Sequence, residues 1–327
     1  MPTLRADLHA HPGRCFLQGL PEGDAQLRVL GAANLDAALA DLRASGMGLV
    51  SFSTVSDLRV LGLRGEGIGA TRGFETGEAW ADHTRQLAGL GAISQREGVR
   101  RVLDSGDLEN AQRAGELGLL AACEGGDFLE GRLERLEQAH GDGVRSITLV
   151  HYRVNELGDI QTESPVHGGL TAFGAEVVRE MNRLHMLIDL AHATWDVTRD
   201  VLDRSSQPVM ISHSHLASGP DSHPRLLSRE HALAISRADG LVGAWPSGVR
   251  CKTFDDFLDE ILRLVDLLGI ASVAIGTDMD GNYKPVVTRY DQYPDLATGL
   301  RERGLGADEV DGLLGGNFQR LLRAVVG

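Results

Sequence analysis

Histidine and acidic residues recur at the carboxyl ends of short apolar segments in this chain. The first segment ends in His9-Ala10-His11, and two residues separated by one lie on the same face of a strand. Five further segments end in a single histidine or acid, and these residues are Glu124, His151, His192, His213 and Asp278. Neutral imidazole and carboxylate are ordinary ligands for zinc and other divalent metal ions. If the fold brings these side chains together, they predict a metal site.

The apolar segments alternate with amphipathic stretches, which indicates strands alternating with helices. We predict strands at 4–11, 49–54, 119–124, 146–151, 187–192, 209–213, 241–245 and 273–278. Helices are predicted at 34–46, 171–185 and 253–268, among others. Asn34 and Thr253 are suitable N-cap residues, and Gly46 and Gly269 are suitable stops.

Eight strands that alternate with helices are typical of an α/β fold of the (β/α)8 TIM barrel type. The chain has 327 residues, more than the roughly 250 of a typical barrel. We place the additional residues in the loop after the first strand, in the glycine-rich stretch 61–77 and in a C-terminal helix near 307–326. No repeat or break in composition is present, so we expect one barrel domain over residues 1–327. The carboxyl ends of barrel strands surround one mouth, where six of the eight strands would present His, Asp or Glu.

Composition and charge exclude several other classes of protein. The net charge is −14, with 32 basic and 46 acidic residues, and an acidic surface repels nucleic acid. No apolar stretch approaches the about 20 residues that cross a bilayer, so we expect no membrane partner. The N-terminus shows no basic and apolar signal segment. Three cysteines without C-x-x-C spacing argue against a disulfide framework, so we predict a cytoplasmic protein.

The positions of the other histidines and of the lysines reduce the number of candidate metal ligands. Four histidines lie in helical segments or at helix ends, and we expect their side chains to pack against other residues or to be exposed to solvent. These residues are His83, His140, His185 and His231. His215 is expected to form a local hydrogen bond in a loop, whereas the sequence leaves open whether His167 and His223 touch substrate. The only lysines are Lys252 and Lys284, and neither ends a predicted strand. A carboxylated lysine therefore cannot bridge two metal ions, and Glu124 is the natural bridging carboxylate.

In combination, these segments resemble the renal (membrane) dipeptidase family of zinc peptidases, of the amidohydrolase-type barrel superfamily. The matching segments, in chain order, are Asp7-Leu-His9-Ala-His11-Pro, Glu124-Gly-Gly126, Ser146-Ile-Thr-Leu-Val-His151, Gly169-Leu-Thr-Ala-Phe-Gly174, Val177-Val-Arg-Glu-Met-Asn-Arg-Leu184, Asp189-Leu-Ala-His192, Ser212-His213-Ser214, His223-Pro-Arg225, Gly276-Thr-Asp278-Met-Asp-Gly281 and Gly316-Asn-Phe-Gln-Arg320. Each segment is weakly diagnostic alone, but their order along nearly the whole chain is specific.

The resemblance implies a two-zinc hydrolase that cleaves dipeptides. The metal ligands that it implies are His9 and His11 for one ion, His192 and His213 for the other, and Glu124 as the bridge. His151 would polarise the scissile carbonyl, Arg225 would bind the substrate carboxylate, and Asp278 would handle the proton of the attacking water. The expected partner is a small molecule, a dipeptide or an acylamino acid, and the family is compatible with a homodimer.

Two departures from the family pattern keep alternatives open. The family usually has Asp where this chain has His11, and a Pro-Trp pair where it has Pro12-Gly13. His11 in place of Asp changes a residue of the metal site. Gly13 in place of Trp removes an aromatic side chain that bears on the preference for substrate side chains. One alternative is another amidohydrolase, an acylamino acid amidase, lactonase or deaminase, with the same metal site. The other is a degenerate, non-enzymatic relative that has lost a metal.

Overall fold

Short parallel strands with buried side chains form the centre of the molecule. This computed structural model describes residues 3–65, 67–219 and 221–327. Its strands are β1 (Ala6–Ala10), β2 (Leu49–Val55), β3 (Leu61–Arg64), β4 (Gly67–Ala70), β5 (Val99–Arg101), β6 (Leu117–Glu124), β7 (Val144–Thr148), β8 (Leu187–Asp189), β9 (Met210–Ser214), β10 (Leu241–Ala244) and β11 (Val273–Ile275). The helices are α1 (Ala25–Leu30), α2 (Leu35–Ala44), α3 (Glu78–Ser94), α4 (Ser105–Ala114), α5 (Glu134–Gly141), α6 (Ala172–Arg183), α7 (Trp195–Leu202), α8 (Arg229–Arg237), α9 (Phe254–Leu268), α10 (Tyr293–Glu302), α11 (Ala307–Asp311) and α12 (Asn317–Val325).

Eight of the strands form the predicted barrel. They pair in parallel in the order β1-β2-β6-β7-β8-β9-β10-β11, and β5 pairs with the first residues of β6. Residues just beyond β11 return to β1, where Ala10 pairs with Met279 and the amide of Asp278 donates to the carbonyl of His9 at 2.9 Å. This contact nearly closes the barrel, and the prediction of a (β/α)8 TIM barrel with a C-terminal helix is confirmed.

Side-chain caps are present at the predicted starts of α9 and α6 but not at that of α2. Thr253 and Asp256 form a reciprocal capping box at the start of α9, and Thr171 accepts a hydrogen bond from the amide of Gly174 at the start of α6. Asn34 occupies the N-cap position of α2 without a side-chain cap bond. The predicted C-terminal helix is divided into α11 and α12 by a π-helical turn, Gly312–Gly316.

The apolar side chains of α12 close the amino-terminal end of the barrel. Phe318, Leu321 and Leu322 belong to one buried cluster with residues of the barrel strands, including Leu8 and Met210. This packing leaves the carboxyl ends of the strands as the end at which a ligand can enter. No helix within the described residues has the length and apolarity that a membrane span requires.

Three barrel strands end well before their predicted last residues, and β1 and β10 end one residue early. β7, β8 and β11 stop three residues before His151, His192 and Asp278. The backbone has left-handed φ angles of 66° at His192 and 52° at Asp278, which end the extended conformation. These three side chains therefore project from turns above the strands. The sequence also gave no indication of β5 or of the β3–β4 hairpin, which lies inside the stretch 61–77.

Candidate metal centre

The carboxylate of Glu124, the last residue of β6, lies among imidazole rings from three other strand ends. Its Oε1 is 3.1 Å from Nε2 of His192, 3.5 Å from Nε2 of His9 and 3.7 Å from Nε2 of His213. Its Oε2 is 3.2 Å from Nε2 of His11. All five side chains are buried. They form two groups with Glu124 in common, and the potential ligand atoms within each group lie within 4.8 Å of one another.

Paired imidazole nitrogens show that this arrangement suits a cation. Nε2 of His9 is 3.3 Å from Nε2 of His11, and Nε2 of His192 is 3.2 Å from Nε2 of His213. When both nitrogens of a pair are unprotonated, their lone pairs face each other and repel, and a cation between them removes that repulsion. Imidazole nitrogen combined with carboxylate oxygen is also a donor set that divalent transition metals prefer. The residues present therefore fit a divalent metal ion.

Outer hydrogen bonds orient two of these rings with Nε2 towards Glu124. Nδ1 of His11 donates to the carbonyl oxygen of Ser53 at 2.9 Å. Nδ1 of His213 lies 3.0 Å from Oγ of Ser212, and that hydroxyl donates to Oδ2 of Asp189 at 2.6 Å. Such partners fix the tautomer of a metal-binding histidine and keep its other nitrogen free for the ion.

Burial and charge give the two groups different proton affinities. Burial raises the pKa of Glu124, but the surrounding imidazoles outweigh burial and hold that pKa well below its usual value. Burial lowers the pKa of His192 and of His213 well below normal. For His192, the positive charge of Arg225 is the next largest cause of the lowered pKa. Burial also lowers the pKa of His11, yet hydrogen bonds to Asp278 and Glu124 raise it to about 10. A metal ion at His11 must therefore displace a proton, whereas the His192–His213 pair is already neutral.

His151 lies against the same carboxylate from the turn after β7. Its Nε2 is 3.3 Å from Oε2 of Glu124, and its ring centroid is 4.6 Å from that of His192. Its Nδ1 is 2.7 Å from Oδ1 of Asp57, which is buried just beyond β2. Sequence reasoning missed Asp57, because it lies three residues beyond the predicted end of the second strand, whereas the other site residues end their predicted segments.

Asp278 completes the rim of the site from the turn after β11. Its Oδ1 is 3.4 Å from Nε2 of His11, and its Oδ2 accepts a hydrogen bond from Nε1 of Trp245 at 3.3 Å. Trp245 directly follows β10 and was not identified from the sequence as a site residue. One oxygen of the Asp278 carboxylate therefore faces the metal-ligand groups, and the hydrogen bond from Trp245 to the other oxygen fixes the orientation of the carboxylate.

Arg225 reaches the same mouth from the loop after β9 and is buried there. Its Nη1 donates to Oε1 of Gln161 at 2.6 Å, and its guanidinium lies 5.3 Å from the centre of the Trp245 ring. Its Nε and Nη2 atoms have no hydrogen-bond partner within residues 3–65, 67–219 and 221–327. A buried donor without a partner costs free energy, and an anionic group of a ligand would supply the missing acceptors. We therefore expect Nε and Nη2 to bind such a group.

The Pro12-Gly13 departure has a local explanation. Gly13 has a left-handed φ of 62°, and a Cβ there would lie 2.6 Å from the carbonyl oxygen of Asn34. Its amide donates to Oδ2 of Asp280 at 2.6 Å. The loop after β1 therefore has no space for a large side chain at this position.

The remaining histidines lie outside both metal-ligand groups. His83 and His231 are buried in α3 and α8. His215 is buried with its ring centroid 5.6 Å from that of Trp245. His140 is partly exposed, and the histidines with exposed side chains are His167, His185 and His223.

This chain is similar to known proteins over most of its length. The model of the membrane dipeptidase family, peptidase family M19, matches residues 28–326. Dipeptidase aclJ of Aspergillus oryzae is 34% identical over 218 residues, which are 64% of this chain and 51% of that protein. Dipeptidase tcpJ of Claviceps purpurea is 32% identical over 230 residues, 67% of this chain and 53% of that protein. The match thus spans about half the length of these two relatives.

Among solved structures, a metallopeptidase from Rhodobacter sphaeroides, liganded with a phosphinate mimic of the dipeptide L-Ala-D-Ala, superposes with a TM-score of 0.82. It is 20% identical, and the match covers 98% of this chain and 99% of the other, so the two share a fold. The family model extends from α1 to α12 and includes all the proposed metal ligands except His9 and His11. This chain belongs to the membrane dipeptidase family.

Proposed function

We propose that this protein is a metal-dependent dipeptidase, which hydrolyses the peptide bond of dipeptides with a metal-activated water. The observation that carries the proposal is the buried Glu124 carboxylate shared by two histidine pairs. Arg225 at the same mouth adds a site for the substrate carboxylate, because its Nε and Nη2 atoms have no hydrogen-bond partner among the described residues. Membership of the family and the dipeptidase names of the two fungal relatives support the same activity.

We propose that the site binds two metal ions and that these are zinc. His9 and His11 would hold one ion, His192 and His213 the other, and Glu124 would bridge the pair. A shared carboxylate offsets the repulsion between two cations about 3.5–4 Å apart. When bound, such ions lower the pKa of water towards neutrality and polarise a carbonyl group.

The protein's own groups would move the proton and stabilise charge on the substrate. Asp278 has one carboxylate oxygen facing the metal-ligand groups, where it can accept the proton of the attacking water. His151 directs Nε2 into the same space. Burial lowers the pKa of His151, but the charges of Asp57 and Glu124 raise it to about 8, so the ring can carry a proton on both nitrogens. The protonated Nε2 can then donate a hydrogen bond to the oxygen of the scissile carbonyl. Each role requires contact with the reacting atoms, so both residues are catalytic in this proposal.

Arg225 would determine the class of substrate. A guanidinium binds a carboxylate with two parallel hydrogen bonds, and Nε and Nη2 are the two atoms that lack a partner in the described part of the chain. Gln161 occupies Nη1 and thereby directs the other side of the guanidinium towards the ligand. The expected substrate therefore has a free carboxylate next to the bond that is cleaved, as dipeptides and acylamino acids do.

We also propose a cytoplasmic location. Cys15, Cys123 and Cys251 are all buried and unpaired. Free thiols in a protein of this size are typical of a reducing compartment.

The test measures metal content and turnover on one preparation. We expect about two metal equivalents by elemental analysis and hydrolysis of L,L- or L,D-dipeptides. Exhaustive chelation should abolish turnover, and added zinc should restore it. A panel of acylamino acids, lactones and dipeptides identifies the reaction. Turnover that survives with metal confirmed absent contradicts the mechanism, and a protein without metal or activity on any substrate would be the degenerate relative.

A further inference from the structure

Asp57 directs both of its carboxylate oxygens towards consecutive residues of the turn after β7. Oδ1 lies 2.7 Å from Nδ1 of His151, and Oδ2 accepts a hydrogen bond from the backbone amide of Tyr152 at 3.0 Å. Asp57 is completely buried, and His151 is nearly so. The carboxylate is therefore used inside the protein and is not a surface charge.

The segment that carries Asp57 is itself fixed on both sides. The side chain of Gln86 in α3 accepts from the amide of Val55 and donates to its carbonyl, both at 2.8 Å. The amide of Ser56 donates to the carbonyl of Glu124 at 2.8 Å, which connects this segment to β6. Asp57 thus has a defined position relative to Glu124.

This contact determines which nitrogen of His151 faces the metal-ligand groups. Nδ1 is engaged by Asp57, so Nε2 is the atom directed at Oε2 of Glu124, 3.3 Å away. The other close neighbours of the ring are the rings of Tyr152 and His192, each with its centroid 4.6 Å away. Those ring contacts are compatible with both orientations of the imidazole, because a flip of the ring keeps its shape. The hydrogen bond from Nδ1 to Asp57 selects the orientation in which Nε2 faces Glu124.

We propose that Asp57 is a positioning residue, which holds His151 with Nε2 towards the scissile carbonyl of the substrate. The inference rests on the proposed dipeptidase function, since Asp57 acts through His151. A misoriented ring loses the hydrogen bond that strengthens as charge develops on the carbonyl oxygen. The loss should therefore lower kcat more than it changes KM.

The kinetic test is a double-mutant cycle with Asp57→Asn and His151→Ala. We expect Asp57→Asn to lower kcat about 10- to 100-fold, the usual effect of removing an outer partner, with little change in KM. In the His151→Ala background the same substitution should have almost no further effect on kcat. Additive losses, or a loss that lies mainly in KM, would assign Asp57 a general structural role and overturn the proposal.

Glu260→Gln is the matched control, because Glu260 is an equally buried carboxylate that contacts arginines and the amide of Leu216 and lies outside the metal centre. We expect this variant to lose stability but to keep the wild-type kcat. If Asp57→Asn does not fold, Asp57→Glu retains the charge, displaces it by one methylene group, and should lower kcat in the same way.

A second readout does not depend on turnover. Nitrogen NMR of the metal-free protein reports whether each ring nitrogen of His151 carries a proton, and His151→Ala identifies the signals. We expect Nδ1 to be protonated in the wild type and the signal to change in Asp57→Asn. An unchanged signal would overturn the proposal. If the wild type cleaves no dipeptide, the proposed function fails, while this measurement still decides whether Asp57 orients His151.

Discussion

Nε2 of His11 lies 3.2 Å from Oε2 of Glu124, inside the group that would hold one metal ion. Family members usually have an aspartate at this position, so the exchange removes one negative charge from the site. Asp278 places Oδ1 3.4 Å from the same nitrogen and supplies a carboxylate nearby. The His9–His11 group is therefore expected to bind its ion more weakly than an aspartate-containing site would.

His11→Asp should tighten binding of one metal equivalent by at least about tenfold, because a charge added a few ångströms from a partly buried cation contributes more than about 1.4 kcal/mol. The fold should be retained. Metal titration by calorimetry measures the effect, and His11→Asn is the matched control, since it has the size of aspartate without the charge. Unchanged affinity and stoichiometry in His11→Asp and His11→Ala would remove His11 from the ligand set.

Arg225→Ala should reduce kcat/KM for free dipeptides about 100-fold or more, on the scale of a charged hydrogen-bond pair. C-terminally amidated dipeptides lack the carboxylate, so they should be poor substrates for the wild type and nearly insensitive to the substitution. Steady-state kinetics on the two substrate series provides the comparison. Equal losses on both series would show that Arg225 supports the site in general and does not recognise the carboxylate.

Local sequence pattern was sufficient for the barrel and for most of the residues around Glu124. Strand ends could be read from apolar segments, and barrel geometry requires those ends to meet. β7, β8 and β11 end three residues earlier than predicted, but His151, His192 and Asp278 still reach the mouth from the turns that follow these strands.

Contacts between residues distant in sequence could not be predicted in the same way. Asp57 and His151 are 94 positions apart, and Arg225 and Gln161 are 64 apart. No periodicity or cap signal links such pairs, since their proximity depends on the closure of the barrel and on the paths of the loops. The closure of the barrel base by α12 was likewise visible only as an amphipathic C-terminal helix.

Gly281→Ala should impair catalysis while leaving the fold intact. A Cβ at this position would lie 2.6 Å from Cδ2 of His11 and 2.7 Å from Oδ1 of Asp278, so both side chains must shift. We expect a fall in kcat of about tenfold or more, because displacement by a fraction of an ångström impairs proton transfer. Gly73→Ala, where a Cβ meets nothing within 4 Å, is the control and should behave as wild type. Equal kcat in both variants would show that the site has room at Gly281.

Acid stability provides a test that is independent of metal and substrate. His83 is buried in α3, where its ring stacks on Phe128 with centroids 4.0 Å apart and planes 7° apart. Its Nε2 has no hydrogen-bond partner in the part of the chain that the structure describes. Burial, and then the charge of Arg135, lowers the pKa of His83 from 6.5 to about 3.

His83→Phe should make the metal-free protein less sensitive to acid. Between pH 6.5 and about 3 the unfolded chain binds a proton at His83 that the folded protein does not bind. The contribution of neutral His83 to the free energy of unfolding is therefore fully present above pH 6.5 and decreases as the pH falls. Between pH 7 and pH 5 this single group should cost about 2 kcal/mol of unfolding free energy. Phenylalanine keeps the stacking on Phe128 and removes the titrating nitrogen, so the variant should lose about 2 kcal/mol less than wild type over that interval. Urea denaturation at pH 8, 7, 6 and 5 measures both proteins, and the curves should diverge only below about pH 6.5. Parallel losses of stability in the two proteins would mean that His83 accepts its proton without unfolding.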